Sequence, residues 1–266
     1  MAFSKVLVAN RGEIAVRVMQ TAKAMGYQTV AVYSDADQHA RHVQVADEAV
    51  YIGPSKVSES YLSITNIIEA CQKTGADAVH PGYGFLSENT DFAQACIDHN
   101  ITFIGPTAAA IELMGSKRLS KIAMIQAGVP CVPGYEGDQQ DIDFLAEQAR
   151  KVGFPLMVKA SAGGGGRGMR LVHAESELLE SLNTARSEAE NAFGSGELII
   201  EKAVIAPRHV EIQVFGDTHG NYVYLFERDC SIQRRHQKVV EEAPCLVMTP
   251  DLRQRMGEAA VAAAKS

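Results

Sequence analysis

Four consecutive glycines, Gly163, Gly164, Gly165 and Gly166, are followed by Arg167-Gly168 and preceded by an apolar run that carries Lys159. Glycine lets backbone N–H groups close on an anion with no Cβ in the way. A lysine at the end of the leading strand adds a point charge for the same oxygens. The chemistry suited to both is a grip on nucleotide phosphates. A flexible linker would share the glycines, but linkers are not bracketed by apolar strands, and residues 156–160 and 170–172 both read as strands. The loop is not of the Walker type, since no Gly-Lys-Ser/Thr follows it. Nor is the first strand-to-helix turn, Asn10-Arg11-Gly12-Glu13-Ile14, a dinucleotide fingerprint, because it has one glycine where three are needed.

A second group falls at Arg234-Arg235-His236-Gln237-Lys238. In an extended segment His236 and Lys238 point to the same side. Two donors on one face suit a polyanion, and would equally make a solvated face. The net charge of −7 gives no general electrostatic case for nucleic acid, so this basic run asks for a specific ligand. Taken alone, Lys117 reads as a solvated helix lysine. Glu201 could simply end an edge strand, and His209, after Pro207-Arg208, could be a loop histidine. The five cysteines, Cys71, Cys96, Cys131, Cys230 and Cys245, have no metal-ligand spacing and read as reduced thiols, mostly buried small residues.

Strands and helices alternate through the elements that must position these groups. Residues 6–9 form a buried strand, and Ile14, Val18, Ala22 and Met25 follow at helical spacing. Further strands are expected at 29–33, 76–80 and 101–105, with helices at 61–73 and 89–99. Such alternation implies a parallel sheet with helices on both faces. A helical region at 108–127 breaks near Gly115. The turn-rich stretch 128–134 is the expected domain junction. Beyond it lie a helix at 142–152, the two strands around the glycine loop, a helix at 176–191 and a strand at 198–201. From His209 the pattern alternates, with Val210, Ile212 and Val214 on one face, then a turn at 216–220 and a strand at 222–226, reading as a hairpin. Thr249 and Pro250 open a last helix as N-cap and first helical residue.

Only four residues precede the first apolar run, so no leader of the usual form is expected. No apolar stretch approaches the roughly 20 residues of a membrane helix. The expected location is cytoplasmic. Because the chain stops inside a helix just after a sheet has opened, it is expected to be a piece of a longer protein.

Several motifs carry a family resemblance. FPLMVKAS (154–161) with GGRG (165–168) resembles the ATP-grasp motif of carbamoyl-phosphate synthetases and biotin carboxylases. NRGEIA (10–15), HPGYGFLSEN (80–89) and ERDCSIQRRHQK (227–238) are similar to biotin carboxylases specifically. The resemblance runs over the whole chain. It implies an α/β fold: a Rossmann-like N-terminal domain over residues 1–114, then an incomplete ATP-grasp domain over 115–266. The latter would comprise a lid at about 131–203 and the start of the main sheet at 204–266. By motif match, Lys117 and Lys159 would contact ATP phosphates while Gly163, Gly164, Gly165 and Gly166 close over them. Glu201, Lys202, Ala203 and Val204 would meet adenine through backbone groups and the Lys202 side chain. His209, Gln233 and His236 would surround ribose and phosphates, and Lys238 would bind bicarbonate. Cys230 would be structural, and the motifs at Arg11/Glu13 and 80–89 would shape their domain.

The activity so implied is carboxylation of carrier-bound biotin, using ATP, Mg²⁺ and bicarbonate through carboxyphosphate. The family's metal ligands lie beyond position 266, so no metal site is expected in this chain, which alone should bind nucleotide weakly and not turn over. Implied partners are a biotin carboxyl carrier domain and a carboxyltransferase subunit, in a homodimer or larger complex, with neither nucleic acid nor membrane. PGYEGDQQD (133–141) looks more like methylcrotonoyl-, geranyl- or propionyl-CoA carboxylase α subunits than the stand-alone acetyl-CoA type. The other readings are a different ATP-grasp ligase, such as a carbamoyl-phosphate synthetase half, and a non-catalytic nucleotide-binding module.

Overall fold

The computed structural model describes residues 3–162, 168–234 and 237–266. They form two compact units, Met1–Leu113 and Met114–Ser266.

The first unit alternates strands and helices: β1 (Lys5–Val8), α1 (Gly12–Ala24), β2 (Gln28–Tyr33), α2 (Arg41–Val45), β3 (Glu48–Tyr51), α3 (Ile64–Thr74), β4 (Ala78–His80), α4 (Thr90–Asp98) and β5 (Thr102–Phe103). The strands are parallel in the order β3-β2-β1-β4-β5. This is the Rossmann-like order expected, with its reversal between β1 and β4. Both faces are covered, as a parallel sheet requires. Leu7, Val30 and Val32 join one core with Ile67, Phe92 and Tyr61. Val6, Val8 and Ala31 join the other with Ala15, Val18 and Met19 of α1. The strand β3 was not expected from the sequence. Of its four residues only Val50 is buried, so it carries no alternation to read.

Helix α5 (Ala108–Gly115) breaks at the glycine, and α6 (Lys117–Gln126) starts under the N-cap of Ser116, whose hydroxyl accepts from Leu119 N. The stretch at 128–134 is no junction between the units; it lies inside the second one and leads α6 into β6 (Gly134–Tyr135). Then come α7 (Ile142–Val152), β7 (Leu156–Ala160), β8 (Met169–Val172), α8 (Leu178–Phe193) and β9 (Leu198–Lys202). Asp141 caps α7 by accepting from Asp143 N and Phe144 N, and Arg150 and Lys151 sit in its last turn, where cations favour the helix dipole. The sheet order is β6-β9-β7-β8, antiparallel throughout. Its covered face presents Leu156, Val158, Val172, Leu198 and Ile200 to Leu145, Ala149 and Leu182 of α7 and α8. The period-2 alternation therefore turns Met157, Lys159, Met169, Leu171 and Glu201 to the opposite face.

A second sheet follows, β10 (Val210–Gly216), β11 (Tyr222–Arg234) and β12 (Gln237–Glu242), with α9 (Pro250–Lys265) behind it. Thr249 caps α9, as expected, accepting from Leu252 N. Strand β11 runs eight residues past the expected 226. The charged run Glu227-Arg228-Asp229 hid it, yet Glu227 is buried there because Arg253 of α9 pairs with both of its oxygens, at 2.7 and 2.6 Å. Strand β12 is exposed throughout and offered no apolar pattern.

Candidate functional site

In the first unit the two distinctive motifs make contacts within their own domain. Asn10 is buried, and its amide donates to the carbonyls of Pro81 (2.9 Å) and Tyr83 (2.8 Å). Asn10 thus ties the turn after β1 to the loop after β4. Gly82 makes this possible: a Cβ there would lie 2.6 Å from the Asn10 amide nitrogen. Arg11 pairs with Asp37 at 3.2 Å and lies over the rings of Tyr61 and Phe85.

The second unit places Lys117 and Lys159 together at the base of the glycine loop. Gly163, Gly164, Gly165 and Gly166 themselves lie outside the described residues. Their frame is described. Ala160 N donates to Gly168 O at 2.9 Å, and Gly168 has φ +66°, where an added Cβ would sit 2.9 Å from that of Ala160. The N-terminus of α6 is pinned to the other side of the loop: Lys117 N donates to Ser161 O at 3.0 Å and Arg118 N to the Ser161 hydroxyl at 3.3 Å. The Lys117 ammonium lies 3.3 Å from Ala162 O, one residue before the glycines. Burial, and after it the charge of Lys159, hold the Lys117 pKa below its ordinary value. The Lys117 ammonium thus stands beside the start of the glycine run and within the field of Lys159, which is itself paired with Glu201.

Glu201 shares the face of Lys159. It is on no edge strand, since β9 runs between β6 and β7. Its Oε2 takes Lys159 at 2.5 Å and its Oε1 takes Lys121 at 3.0 Å. Burial raises the pKa of this carboxyl, but the hydrogen bonds from Lys159 and Lys121 outweigh it and leave it below the ordinary value. The Lys202 ammonium is directed elsewhere, donating to the carbonyls of Gly153 (3.2 Å) and Phe154 (2.8 Å). Ala203 N donates to Pro155 O, and Val204 is exposed.

Gln233 and Lys238 lie on β11 and β12 of the second sheet, and His209 immediately precedes β10. His209 Nδ1 and Gln233 Nε2 are 2.5 Å apart, and Gln233 is the register partner of Lys238. His236 lies outside the described residues. Lys238 is paired with Glu211, which also holds Arg228 at 2.5 Å. Lys238 first, then Arg228, draw the Glu211 carboxyl down to about 2 against the opposing effect of burial, and the Lys238 pKa is raised in turn. Sequence reasoning missed Glu211. The signal was present, for Val210 and Ile212 were read as one face of β10 while Glu211 lies on the other. Lys121 and the apolar Met157, Met169 and Leu171 beside Lys159 were missed as well.

Glu211, Cys230 and Glu241 are the one grouping of possible metal ligands among the described residues. It does not fit Mg²⁺. Glu211 is taken by two cations, and burial raises the Cys230 thiol, a soft donor ill-suited to a hard ion. The structure keeps Cys230 buried, as a structural cysteine would be. Among the described residues no helix is long and apolar enough to cross a membrane.

Comparison with known proteins gives the class first. Residues 116–266 match the family model for the carbamoyl-phosphate synthase L chain ATP-binding domain. Residues 2–111 match the biotin carboxylase N-terminal domain. The chain belongs to the biotin carboxylase family, with an N-terminal biotin carboxylase domain followed by a carbamoyl-phosphate synthase L-chain ATP-binding domain. It is 55% identical over 263 residues to the mitochondrial methylcrotonoyl-CoA carboxylase subunit alpha of Dictyostelium discoideum, covering 99% of this chain and 38% of that one. To the propionyl-CoA carboxylase alpha chain of Ruegeria pomeroyi it is 53% identical over 264 residues, 99% of this chain and 39% of the relative. It thus spans under two fifths of these relatives. Among solved structures it is similar to the biotin carboxylase domain dimer of Hydrogenobacter thermophilus 2-oxoglutarate carboxylase, in complex with MgADP, ADP and bicarbonate (TM-score 0.94, 50% identity, 100% of this chain and 58% of that one). It is also similar to the Campylobacter jejuni biotin carboxylase β-γ-ATP complex (TM-score 0.96, 47% identity, 99% and 59%).

Proposed function

We propose that these residues form the nucleotide grip of a biotin carboxylase acting in an acyl-CoA carboxylase. The observation that carries the reading is the pair Lys117 and Lys159, brought to the base of one glycine loop closely enough that the charge of Lys159 lowers the Lys117 pKa. ATP phosphates would lie between them, with the glycines closing over as a lid that excludes water. Met157, Met169 and Leu171 would give the nucleobase an apolar wall, and the backbone of residues 201–204 would meet its edge. His209, Gln233 and His236 would flank the ribose and phosphates.

In the reaction proposed, a bicarbonate oxygen held by Lys238 attacks the γ-phosphorus and ADP leaves. The carboxyphosphate formed breaks into CO2 and phosphate, the phosphate takes the N1 proton of biotin on a carrier domain, and N1 attacks the CO2. Phosphoryl transfer of this kind depends chiefly on positioning and charge neutralisation. Mg²⁺ would add charge neutralisation when bound. Carrier domain, carboxyltransferase subunit and a second copy are the proposed partners. The five free cysteines fit a reducing compartment, and the cytoplasm is the one proposed. Methylcrotonoyl-CoA and propionyl-CoA, named in the relatives, are the acyl groups to try first.

Calorimetry on the 266-residue chain tests the grip. ATP and ADP are expected to bind more tightly than adenosine; equal affinities would remove the phosphate site. The same chain is expected to show no steady bicarbonate- and biotin-dependent ADP release, whereas a protein of the relatives' length carrying these residues should. Steady turnover by the short chain would refute the first expectation. Absence of turnover in the long one, with biotin and carrier supplied, would favour a non-catalytic module.

The lowered Lys117 pKa gives a pH dependence. Phosphate favours the charged lysine and so raises its pKa on binding. ATP affinity is therefore expected to hold at neutral pH, then fall with proton uptake as the pH rises through the lowered value of the free site. Calorimetry in buffers of different ionisation enthalpy reads the uptake; its absence in that range would detach Lys117 from the phosphates.

A further inference from the structure

We propose that Lys121 is a positioning residue of the nucleotide grip, holding the Glu201 carboxylate so that Lys159 is free to leave it for phosphate. The proposal deepens the reading above and rests on Lys159 being a phosphate contact.

The geometry begins on the sheet. Met157 of β7 stands opposite Glu201 of β9, and Lys159 lies two residues along the same face, so Lys159 and Glu201 meet as diagonal neighbours. Lys159 thus sits on a carboxylate in the structure and can serve phosphate only by exchanging one anion for another. What it leaves behind decides how easily it goes. Glu201 is 13% exposed at its side chain, and a carboxylate so buried is costly without a cation.

Lys121 supplies that cation. It is the most buried of the three side chains, at 7% exposure against 25% for Lys159. It takes the other oxygen of Glu201, so the exchange does not strand the carboxylate. Glu136 adds to the demand. Its Oε2 is buried, makes no hydrogen bond among the described residues, and lies 3.5 Å from the Lys121 ammonium, an ionic contact beyond hydrogen-bonding geometry. Without Lys121 two largely buried carboxylates would remain, and Lys159 would be held as their counter-ion. The backbone leaves room for this lysine. A Cβ on Gly134, which pairs with Glu201, would lie 2.0 Å from Ile200 O and 2.9 Å from Lys121 Nζ, so strand backbone and lysine together exclude one. One helix delivers both ends of the arrangement: Lys117 and Lys121 are one turn apart on α6, the first reaching the loop and the second Glu201.

The test uses the 266-residue chain and calorimetry with ATP and with adenosine. Lys121→Met is expected to lower ATP affinity by about tenfold or more, the size of one weakened charge-assisted contact, and adenosine affinity by less than about twofold. Lys121→Arg should restore most of the ATP preference. In ¹³C NMR without nucleotide, the Glu201 carboxyl should titrate at a higher pH in Lys121→Met than in the parent chain. A merely structural lysine would lower the melting temperature and leave the ATP-to-adenosine ratio unchanged; that ratio unchanged in folded Lys121→Met overturns the proposal, as does an unmoved Glu201 titration. Should Lys121→Met fail to fold, Lys121→Met/Glu136→Gln removes the ammonium and its second carboxylate together and is expected to lose the same preference. A parent chain with no preference for ATP would refute the phosphate reading of the site, while the Glu201 titration would still decide the role of Lys121.

Discussion

Lys159→Met is expected to weaken ATP binding to the 266-residue chain by about 10- to 100-fold, the range for loss of one charge-assisted contact of about 1.5–3 kcal/mol. Adenosine binding should change little, because the substitution removes charge from the phosphate end and adds an apolar side chain beside Met157 and Met169. The chain is expected to stay folded. Lys121 remains on Glu201 at 3.0 Å, so the carboxylate is not stranded. Calorimetry with the two ligands, beside a melting curve, separates the effects. An unchanged ATP affinity would show that Lys159 serves Glu201 alone.

Lys238→Met is expected to lower bicarbonate-dependent ADP release by about 10²- to 10³-fold in a protein of the relatives' length, the loss typical of removing a preorganised charge from a reacting oxyanion. Glu211→Gln should lower it too, by releasing the Lys238 ammonium from its fixed position. Lys238→Arg should rescue poorly, since a planar fork does not replace a point charge. The pair sets its own pH limits. The Glu211 carboxyl is depressed to about 2 in the folded protein, so its contribution is complete above the ordinary carboxyl value and is lost only as the pH falls toward 2. The raised Lys238 pKa keeps the ammonium charged through neutral pH. Any fall in rate between pH 7 and 5 must therefore arise from other groups. A parallel loss of rate and of the Lys238–Glu211 pair over that interval, followed by NMR, would contradict this, and an undiminished rate in Lys238→Met would remove the lysine from the chemistry.

Legibility in the sequence followed burial. Strand β7 and helix α7 were readable to the residue, because the sheet's covered face alternates cleanly with its open face and Asp141 caps the helix. Strands β3 and β12 were not, since β3 buries one residue and β12 none. The long strand β11 was cut short by charges that only its packing against Arg253 renders compatible with burial. At the site, residues whose type departs from their surroundings stood out: glycines between strands, a lysine within an apolar run, a histidine and a lysine two apart. Lys121 did not stand out, because one more lysine on a polar helix face is unremarkable until its partners are known.

The sequence by itself indicated the order of most strands and helices and, through long motifs, the family. These depend on local period, residue type and contiguous pattern, all of which survive in one dimension. Tertiary structure alone decided which charges neighbour which. It put Lys121 and Lys159 on one carboxylate 80 and 42 residues away in sequence, tied Lys238 to Glu211 and sent the Lys202 ammonium to backbone carbonyls. The physical reason is that ion pairing is set by distance and burial, and strand register and helix docking create both.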